Sequence, residues 1–386
     1  MISKIEVMIV NVKYTSPLRI SSGLSGNERM TWGLPVIVKI YDDGNVGYGE
    51  ARPSNPWWIE TSYSVAYAIK DFYAPLLIGE EIFNLERIYE KMDSVLPGNT
   101  QARAAIDFAL HDLIGKTLHV PIYKLIGGLV NEKIPIDVTI GLDEPEEMAE
   151  KSIKWIEKFN LKHIRLKLGR KNNWQLDVKC LEKVRESVGN DIKIHIDFNQ
   201  AYTPRTAIEA IKRMEKYQLY LVEQPVPRDD LDGLFMVRNS VNVPVMADES
   251  AFTLQEVLKV IEKKAADVIN VKVPKPGGIR NAKKIAGILE AANMQMFIGT
   301  TIETGIGAAA CCHVYSSTRN IMPPGEFIFG PIFQETDLLI DKDKFKNKIR
   351  DGYIEVPNKS GLGVEVDEEE LQKRTLSKWI ISKERK

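Results

Sequence analysis

The chain has 386 residues, of which 44% are hydrophobic and 27% charged, with a net charge of −1. It is long enough for two or three domains around a sizeable core, and its near-neutral balance leaves no footprint for nucleic acid or an anionic membrane. No apolar run approaches the roughly 18 residues of a membrane span, an acid (Glu6) stands where a signal peptide would be apolar, and the three cysteines, two of them adjacent (Cys311, Cys312), make no disulfide framework; a cytoplasmic protein is expected.

In chain order, residues 5–12 and 36–41 are β-rich, and Asp43-Gly44 is a hairpin signal leading into 46–49. A polar, glycine-containing loop, 16–32, lies between the first two runs. Residues 61–118 read as helices. The strongest is 102–116, with apolar residues at helical spacing and an end near Gly115, before Pro121. From about 130 the pattern changes. Short β-rich runs at 134–140, 163–168, 192–198, 219–223, 243–247, 268–273, 294–298 and 326–329 alternate with helical stretches. Such alternation implies a parallel sheet, and eight repeats imply a closed (β/α)8 barrel. An open doubly wound sheet is the alternative, disfavoured because no Gly-rich nucleotide loop follows the first strand. Segments 352–357 and 361–366 leave the pattern and read as strands or turns returning to the N-terminal domain.

The chemistry collects at strand ends, where barrel enzymes place it. Asp197, Glu223 and Asp248 end strands three, four and five, and Lys167 and Lys272 end strands two and six. Oxygen ligands without Cys or His select a hard ion, Mg2+ or Mn2+. Strands two and six are opposed in a ring of eight, so a carboxylate substrate held on the ion would have one lysine on each face. The ion would stabilise an enediolate, and a lysine base would need its pKa brought from about 10.4 towards 7–8. Arg165 shares the strand face of Lys167, and Asn199 that of Asp197.

Several supporting residues carry two readings. Glu249 is a hydrogen-bond partner for a lysine or a helix-start charge. Glu303, after strand seven, lines the mouth or is structural. Lys275 binds substrate or is solvated. Gly277-Gly278 contacts a phosphate or is a tight turn, the turn being favoured. His195 reads as a satisfied barrel-core histidine and His313 as part of the last crossover helix. Trp57 and Trp58 cage an apolar or cationic substrate end, or pack between domains.

Several stretches resemble the enolase superfamily, in the mandelate racemase/muconate lactonizing enzyme family: Gly47-Tyr48-Gly49-Glu50-Ala51, the helix from Ala102 to Leu113, Leu125-Ile126-Gly127-Gly128 and Gly361-Leu362-Gly363-Val364. Within it the lysine and acid pattern resembles the muconate lactonizing subgroup, and 325–331 resembles a strand-eight segment of cycloisomerases and some related racemases and dehydratases. The mandelate racemase subgroup would need a histidine after strand seven, where Gly299-Thr300-Thr301 stands. The resemblance implies an α+β capping domain over a modified (β/α)7β barrel, divided here as 1–127 (cap), 128–339 (barrel) and 340–386 (segment returning to the cap). It also implies Asp197, Glu223 and Asp248 as Mg2+ ligands, Lys167 and Lys272 as acid/base lysines, and a homo-oligomer, dimer or octamer. One departure stands out: the usual Lys-x-Lys is Arg165-x-Lys167, and arginine is no base.

The expected activity is abstraction of a proton α to a carboxylate, in a racemase, epimerase or cycloisomerase of a small carboxylic acid. A dehydratase of the same superfamily is the nearest alternative; a Schiff-base aldolase barrel and a non-catalytic binding protein are the alternatives from other classes. Substrate choice is expected from 16–32 and 55–58, with Arg19 or Arg29 pairing a distal acid. The Asp-x-Asp segment of dipeptide epimerases is not evident near strand eight.

Overall fold

A computed structural model describes residues 1–15, 18–25, 34–53 and 59–383. Two large hydrophobic cores organise the described residues, with a smaller cluster of Leu221, Met246, Val268, Phe297 and Met322 among the barrel strands. The first lies between a four-stranded antiparallel sheet and a layer of helices. The sheet order is Thr375–Ser382, Lys4–Val10, Val36–Asp42, Asn45–Ala51. Asp43 and Gly44 turn the last hairpin with φ of 43° and 81°, the left-handed pair that a two-residue loop needs. Ile5, Val7, Val38 and Ile40 point from one sheet face to Ile69, Leu77, Ile106 and Leu110 of the helices. The longest helix, Thr100–Thr117, extends slightly beyond the expected 102–116. It lies against Asn45–Ala51 because Gly49 has no side chain; a Cβ there would strike the Ala105 carbonyl. The other sheet face sends Met8, Ile37 and Tyr48 into the second core, that of the barrel.

The barrel strands are parallel and sequential: Thr139–Ile140, His163–Lys167, Lys193–Asp197, Leu219–Glu223, Val245–Ala247, Val268–Asn270, Gln295–Ile298 and Ile321–Gly325. An isolated parallel bridge between Ile136 and Gly325 joins the two ends of the sheet. Seven crossover helices follow the first seven strands: Pro145–Phe159, Trp174–Val188, Pro204–Met214, Leu231–Ser240, Leu254–Glu262, Ile279–Ala291 and Gly305–Ser316. Only the short Phe329–Phe333 follows the eighth. Sequence-local caps start several of them. Thr253 and Glu256, for instance, form a reciprocal capping box, which satisfies two otherwise orphaned donors. No helix of the described residues is long and apolar enough to cross a membrane.

The expected elements are corrected in three places. The eighth strand is Ile321–Gly325, and the expected 326–329 is a turn leading into a helix. Pro323 and Pro324 lack the N–H that a ladder uses, so the run does not read as a strand. The expected first strand is split: Lys133–Pro135 pairs antiparallel with Tyr353–Glu355 outside the barrel, and Thr139–Ile140 alone joins the ladder. The segment that completes the cap sheet is Thr375–Ser382. Of the segments expected to return to the N-terminal part, 352–357 instead pairs with Lys133–Pro135, whereas 361–366 does reach it, Gly361 bridging Pro121 and Leu362 N–H donating to Asp112.

Candidate active site

Strand register gathers the acids. Asp197 is directly opposite Lys167 on one side and Glu223 on the other, and Asp248 and Lys272 follow the ends of strands five and six. Lys272 thus lies two residues past its strand, not at its end. Lys167 Nζ donates to Asp197 Oδ2 at 2.6 Å and Lys272 Nζ to Asp248 Oδ2 at 2.7 Å. The two lysines therefore sit on different acids of the arc. Arg165 is wholly buried. Its Nη2 bonds Asp197 and lies 2.7 Å from Glu223 Oε2, and its Nη1 lies 2.5 Å from Glu326 Oε2. Asn199 donates its N–H to Asp197 Oδ1 at 2.8 Å.

Burial and mutual repulsion set the electrostatics. Burial alone would raise every one of these carboxyls. Lys167 and Arg165 reverse this for Asp197, and Lys272 and Lys275 for Asp248, holding both below the ordinary range. Glu223 and Glu249 are pushed up to about 8, by burial first and then by neighbouring acids. The expected fall of a lysine pKa is not what this arrangement gives Lys272. Burial works against its charge, but Asp248, Glu223 and Glu249 outweigh it and hold the ammonium above the ordinary lysine range. His195, desolvated and beside Arg165, is driven well below its usual value and stays neutral.

Among the described residues no three His, Cys, Asp or Glu side chains already close around one point as a metal cage; oxygens of Asp197 and Asp248 are turned onto cationic side chains instead. The residues nonetheless fit a hard divalent cation. Asp197, Glu223 and Asp248 offer only oxygen, and Glu223 Oε2 and Glu249 Oε2 are buried without a hydrogen bond among the described residues. The Arg165 contact with Glu223 is thus a charge contact outside hydrogen-bond geometry.

The supporting residues divide. Glu249 is buried at the site, but its partner is the Asn199 amide at 3.3 Å, not a lysine. Lys275 is not solvated. It is 1% exposed and donates to Asp248 Oδ1, the Asp248 carbonyl and the Asn270 carbonyl. Glu303 does not line the mouth with a free carboxylate; it folds back onto Thr300 Oγ1 and the N–H and Oγ1 of Thr301. His195 lies in the barrel core 2.9 Å from Glu223 Oε2, yet among the described residues neither ring nitrogen makes a hydrogen bond, so it is not the satisfied core residue expected. His313 is buried on Gly305–Ser316, as expected. Gly277-Gly278 is a tight turn, with Asp107 packed where a Gly278 side chain would be. Arg19 is exposed on a hairpin, Leu18–Ile20 with Gly23–Ser25, laid over the mouth. The Arg19 carbonyl accepts from Leu142 N–H past strand one, and Ser21 Oγ bonds the Asn199 carbonyl. Trp57, Trp58, Arg29 and most of 16–32 lie outside the described residues.

Three residues were missed. Asn270 Nδ2 donates to Glu223 Oε1 at 2.7 Å; its position two before Lys272 was the available signal. Gln224 Oε1 accepts the N–H of Asp248 and of Ser250, fixing the turn that presents Asp248. Glu326, past the unrecognised eighth strand, accepts from Thr139 Oγ1 and Thr300 N–H besides Arg165.

Two family profiles match the chain: "Mandelate racemase / muconate lactonizing enzyme, N-terminal domain" over residues 4–127 and "Enolase C-terminal domain-like" over 147–370. An L-Ala-D/L-Glu epimerase of Clostridium acetobutylicum is 36% identical over 333 residues, covering 86% of this chain and 90% of its own. An N-succinyl-L-Arg/Lys racemase of Bacillus cereus is 33% identical over 388 residues, covering 98% and 99%. The crystal structure of that racemase superposes with a TM-score of 0.90 over 98% of this chain and 99% of that one. A dipeptide epimerase of Enterococcus faecalis, complexed with Mg and L-Leu-L-Tyr, superposes with a TM-score of 0.87 at 34% identity, over 94% and 99%.

Proposed function

The chain belongs to the mandelate racemase/muconate lactonizing enzyme family of the enolase superfamily and is an enzyme, and from that premise we propose that it racemises or epimerises a small carboxylic acid at its α-carbon, with Mg2+, an N-acylated amino acid being the substrate class. The observation that carries the reading is the pair of lysines. Lys167 and Lys272 come from opposite strands of the barrel and engage Asp197 and Asp248 respectively. A substrate α-carbon between them meets an amine on each face, so a proton taken by one can be replaced from the other side.

Asp197, Glu223 and Asp248 would hold the ion, which when bound supplies charge stabilisation to the substrate carboxylate. The rest falls to the chain. Each lysine must be a neutral amine to take the proton and an ammonium to return it. Arg165 cannot exchange a proton, so on that face Lys167 acts alone, with Arg165 anchoring the acids beside it. The mouth hairpin carrying Arg19 covers the site and offers a cation to a distal substrate acid. Strand eight ends at Gly325 and is followed by Glu326, held by Arg165, Thr139 and Thr300. It offers no pair of acids to a free substrate ammonium, which favours an acylated nitrogen over a dipeptide.

The test is deuterium incorporation from D2O into N-acylamino acids, dipeptides, hydroxy acids and diene acids, with Mg2+ or EDTA. Metal-dependent α-exchange with inversion in the N-acylamino acids is expected. Elimination or lactone formation without racemisation would replace this reading by a dehydratase or cycloisomerase.

A further inference from the structure

A line of buried polar contacts runs from the cap to the acid cluster. Glu50 is the penultimate residue of the cap strand Asn45–Ala51 and is fully buried. It accepts Thr304 N–H at 2.7 Å, Thr304 Oγ1 at 2.7 Å and Gly307 N–H at 2.8 Å. These amides open the helix Gly305–Ser316 and have no partner within it. Thr304 closes the turn after strand seven. In that turn Ile302 has a φ of 70°, a left-handed conformation that costs a β-branched residue and persists only where its surroundings impose it. The surroundings are visible: Gln334 Nε2 donates to the carbonyls of Ile302 (3.3 Å) and Glu303 (3.0 Å), and Tyr14 OH to that of Ile302 (3.4 Å). Thr300, early in the turn, donates its N–H to Glu326 Oε2 at 3.3 Å. The same oxygen lies 2.5 Å from Arg165 Nη1, and Arg165 Nη2 reaches Asp197 and Glu223.

We propose that Glu50 is a positioning residue for the reaction: it pins the strand-seven turn from the cap and, through Thr300 and Glu326, sets the Arg165 guanidinium against Asp197 and Glu223. Its catalytic consequence rests on the proton-transfer reading above; its structural consequence does not. The strained turn is what makes the link directional. Without Glu50 the C-terminal side of the turn loses its anchor at Thr304 and Gly307, Gln334 and Tyr14 are left to hold Ile302, and the strain at Ile302 then favours a shift that takes the Thr300 N–H off Glu326. Asp112 supplies the comparison. It too is a buried cap carboxylate holding backbone N–H groups, those of Tyr48 (2.9 Å) and Leu362 (2.8 Å), but its contacts lead to the C-terminal segment and not to the acids.

The experiment compares Glu50→Gln with Asp112→Asn by amide hydrogen exchange and by steady-state kinetics. Both variants are expected to lower the melting temperature. Glu50→Gln alone should speed exchange at Thr300–Glu303 and at Glu326 and lower kcat by at least about 10-fold, with KM within about twofold, since a misplaced catalytic group costs rate rather than binding. Asp112→Asn should leave those amides and kcat as in the parent. Thr304→Val, which removes one donor to Glu50 and keeps the N–H, should act in the same direction and replaces Glu50→Gln if that variant does not fold. Faster exchange confined to 304–307, an unchanged kcat, or equal kinetic losses in the Glu50 and Asp112 variants would overturn the proposal. Because the exchange readout needs no substrate, failure to find a racemised substrate would count against the proton-transfer reading and leave this link to be judged on the amides.

Discussion

The barrel mouth and the seam between cap and barrel bury the same chemical group and treat it in opposite ways. At the mouth, Asp197 and Asp248 face side-chain cations, and their carboxyls are held below the ordinary range. At the seam, Glu50 and Asp112 face mainly backbone N–H groups, Asp112 with Lys116 added, and burial wins: Glu50 is pushed up to about 7 and Asp112 is also raised. Backbone donors are fixed by the helices and turns that carry them. Lysine and arginine heads ride on flexible stems and can swing when another cation arrives. A carboxylate held by backbone makes a joint, and one held by side chains remains available for chemistry.

The sharpest way to break that contrast is at the mouth. Lys272→Ala should lower kcat by about 10²- to 10⁴-fold, the range for a lost general acid or base. Asp248 keeps Lys275 in that variant, so the far- and near-ultraviolet circular dichroism should match the parent; an unfolded variant would mean that the mouth, too, is a structural joint. Next comes pH. The folded pKa of Glu50 lies above its unfolded value of 4.5, so the folded state binds more protons between pH 4.5 and about 7. Stability from this group is therefore fully present below pH 4.5 and is lost as pH rises through 7, by about 3 kcal/mol at most. Asp197 and Asp248 act with the opposite sign, stabilising above the unfolded pKa of 3.8 and losing that as pH falls. Urea unfolding at pH 5 and pH 8 should show the parent's stability advantage over Glu50→Gln to be larger at the lower pH; a pH-independent difference would remove the titration from the account.

Saturating Mg2+ should raise the melting temperature by the equivalent of about 2.7 kcal/mol at 100 times its dissociation constant, and Asp248→Asn should abolish the shift. An undiminished shift would place the ion elsewhere. The smallest effect is expected at the seam, where Asp112→Asn should cost about 1–2 kcal/mol in urea unfolding with kcat per folded molecule unchanged.

What was legible in the residues follows the same division. Asp197, Glu223, Asp248, Lys167 and Lys272 recur once per strand-helix unit, and this local period reveals them together with the barrel. The muconate lactonizing resemblance rests on that pattern, and the family profiles bear out the family. Glu50 was visible as part of Gly47-Tyr48-Gly49-Glu50, but not its partners, since Thr304 and Gly307 present backbone groups that any residue carries. Glu326 was misplaced because Pro323 and Pro324 obscured the strand before it. The burial of Lys275 depends on a turn folding back under Asp248, which no periodicity encodes. The raised pKa of Lys272 depends on how acids and cations are paired in space, where sequence order offers only the inventory.

The strand Thr375–Ser382 pairs along nearly its whole length with Lys4–Val10. During synthesis the early strand leaves the ribosome before any barrel unit, and the late one follows all of them. The cap sheet is therefore completed only after the barrel has been made, although three of its four strands are ready at the start. Until then the side of Lys4–Val10 that Thr375–Ser382 will cover is an open edge, the kind of surface to which stray strands attach. The nascent chain carries that exposure for the whole time it takes to translate the barrel, until Thr375–Ser382 follows and covers it.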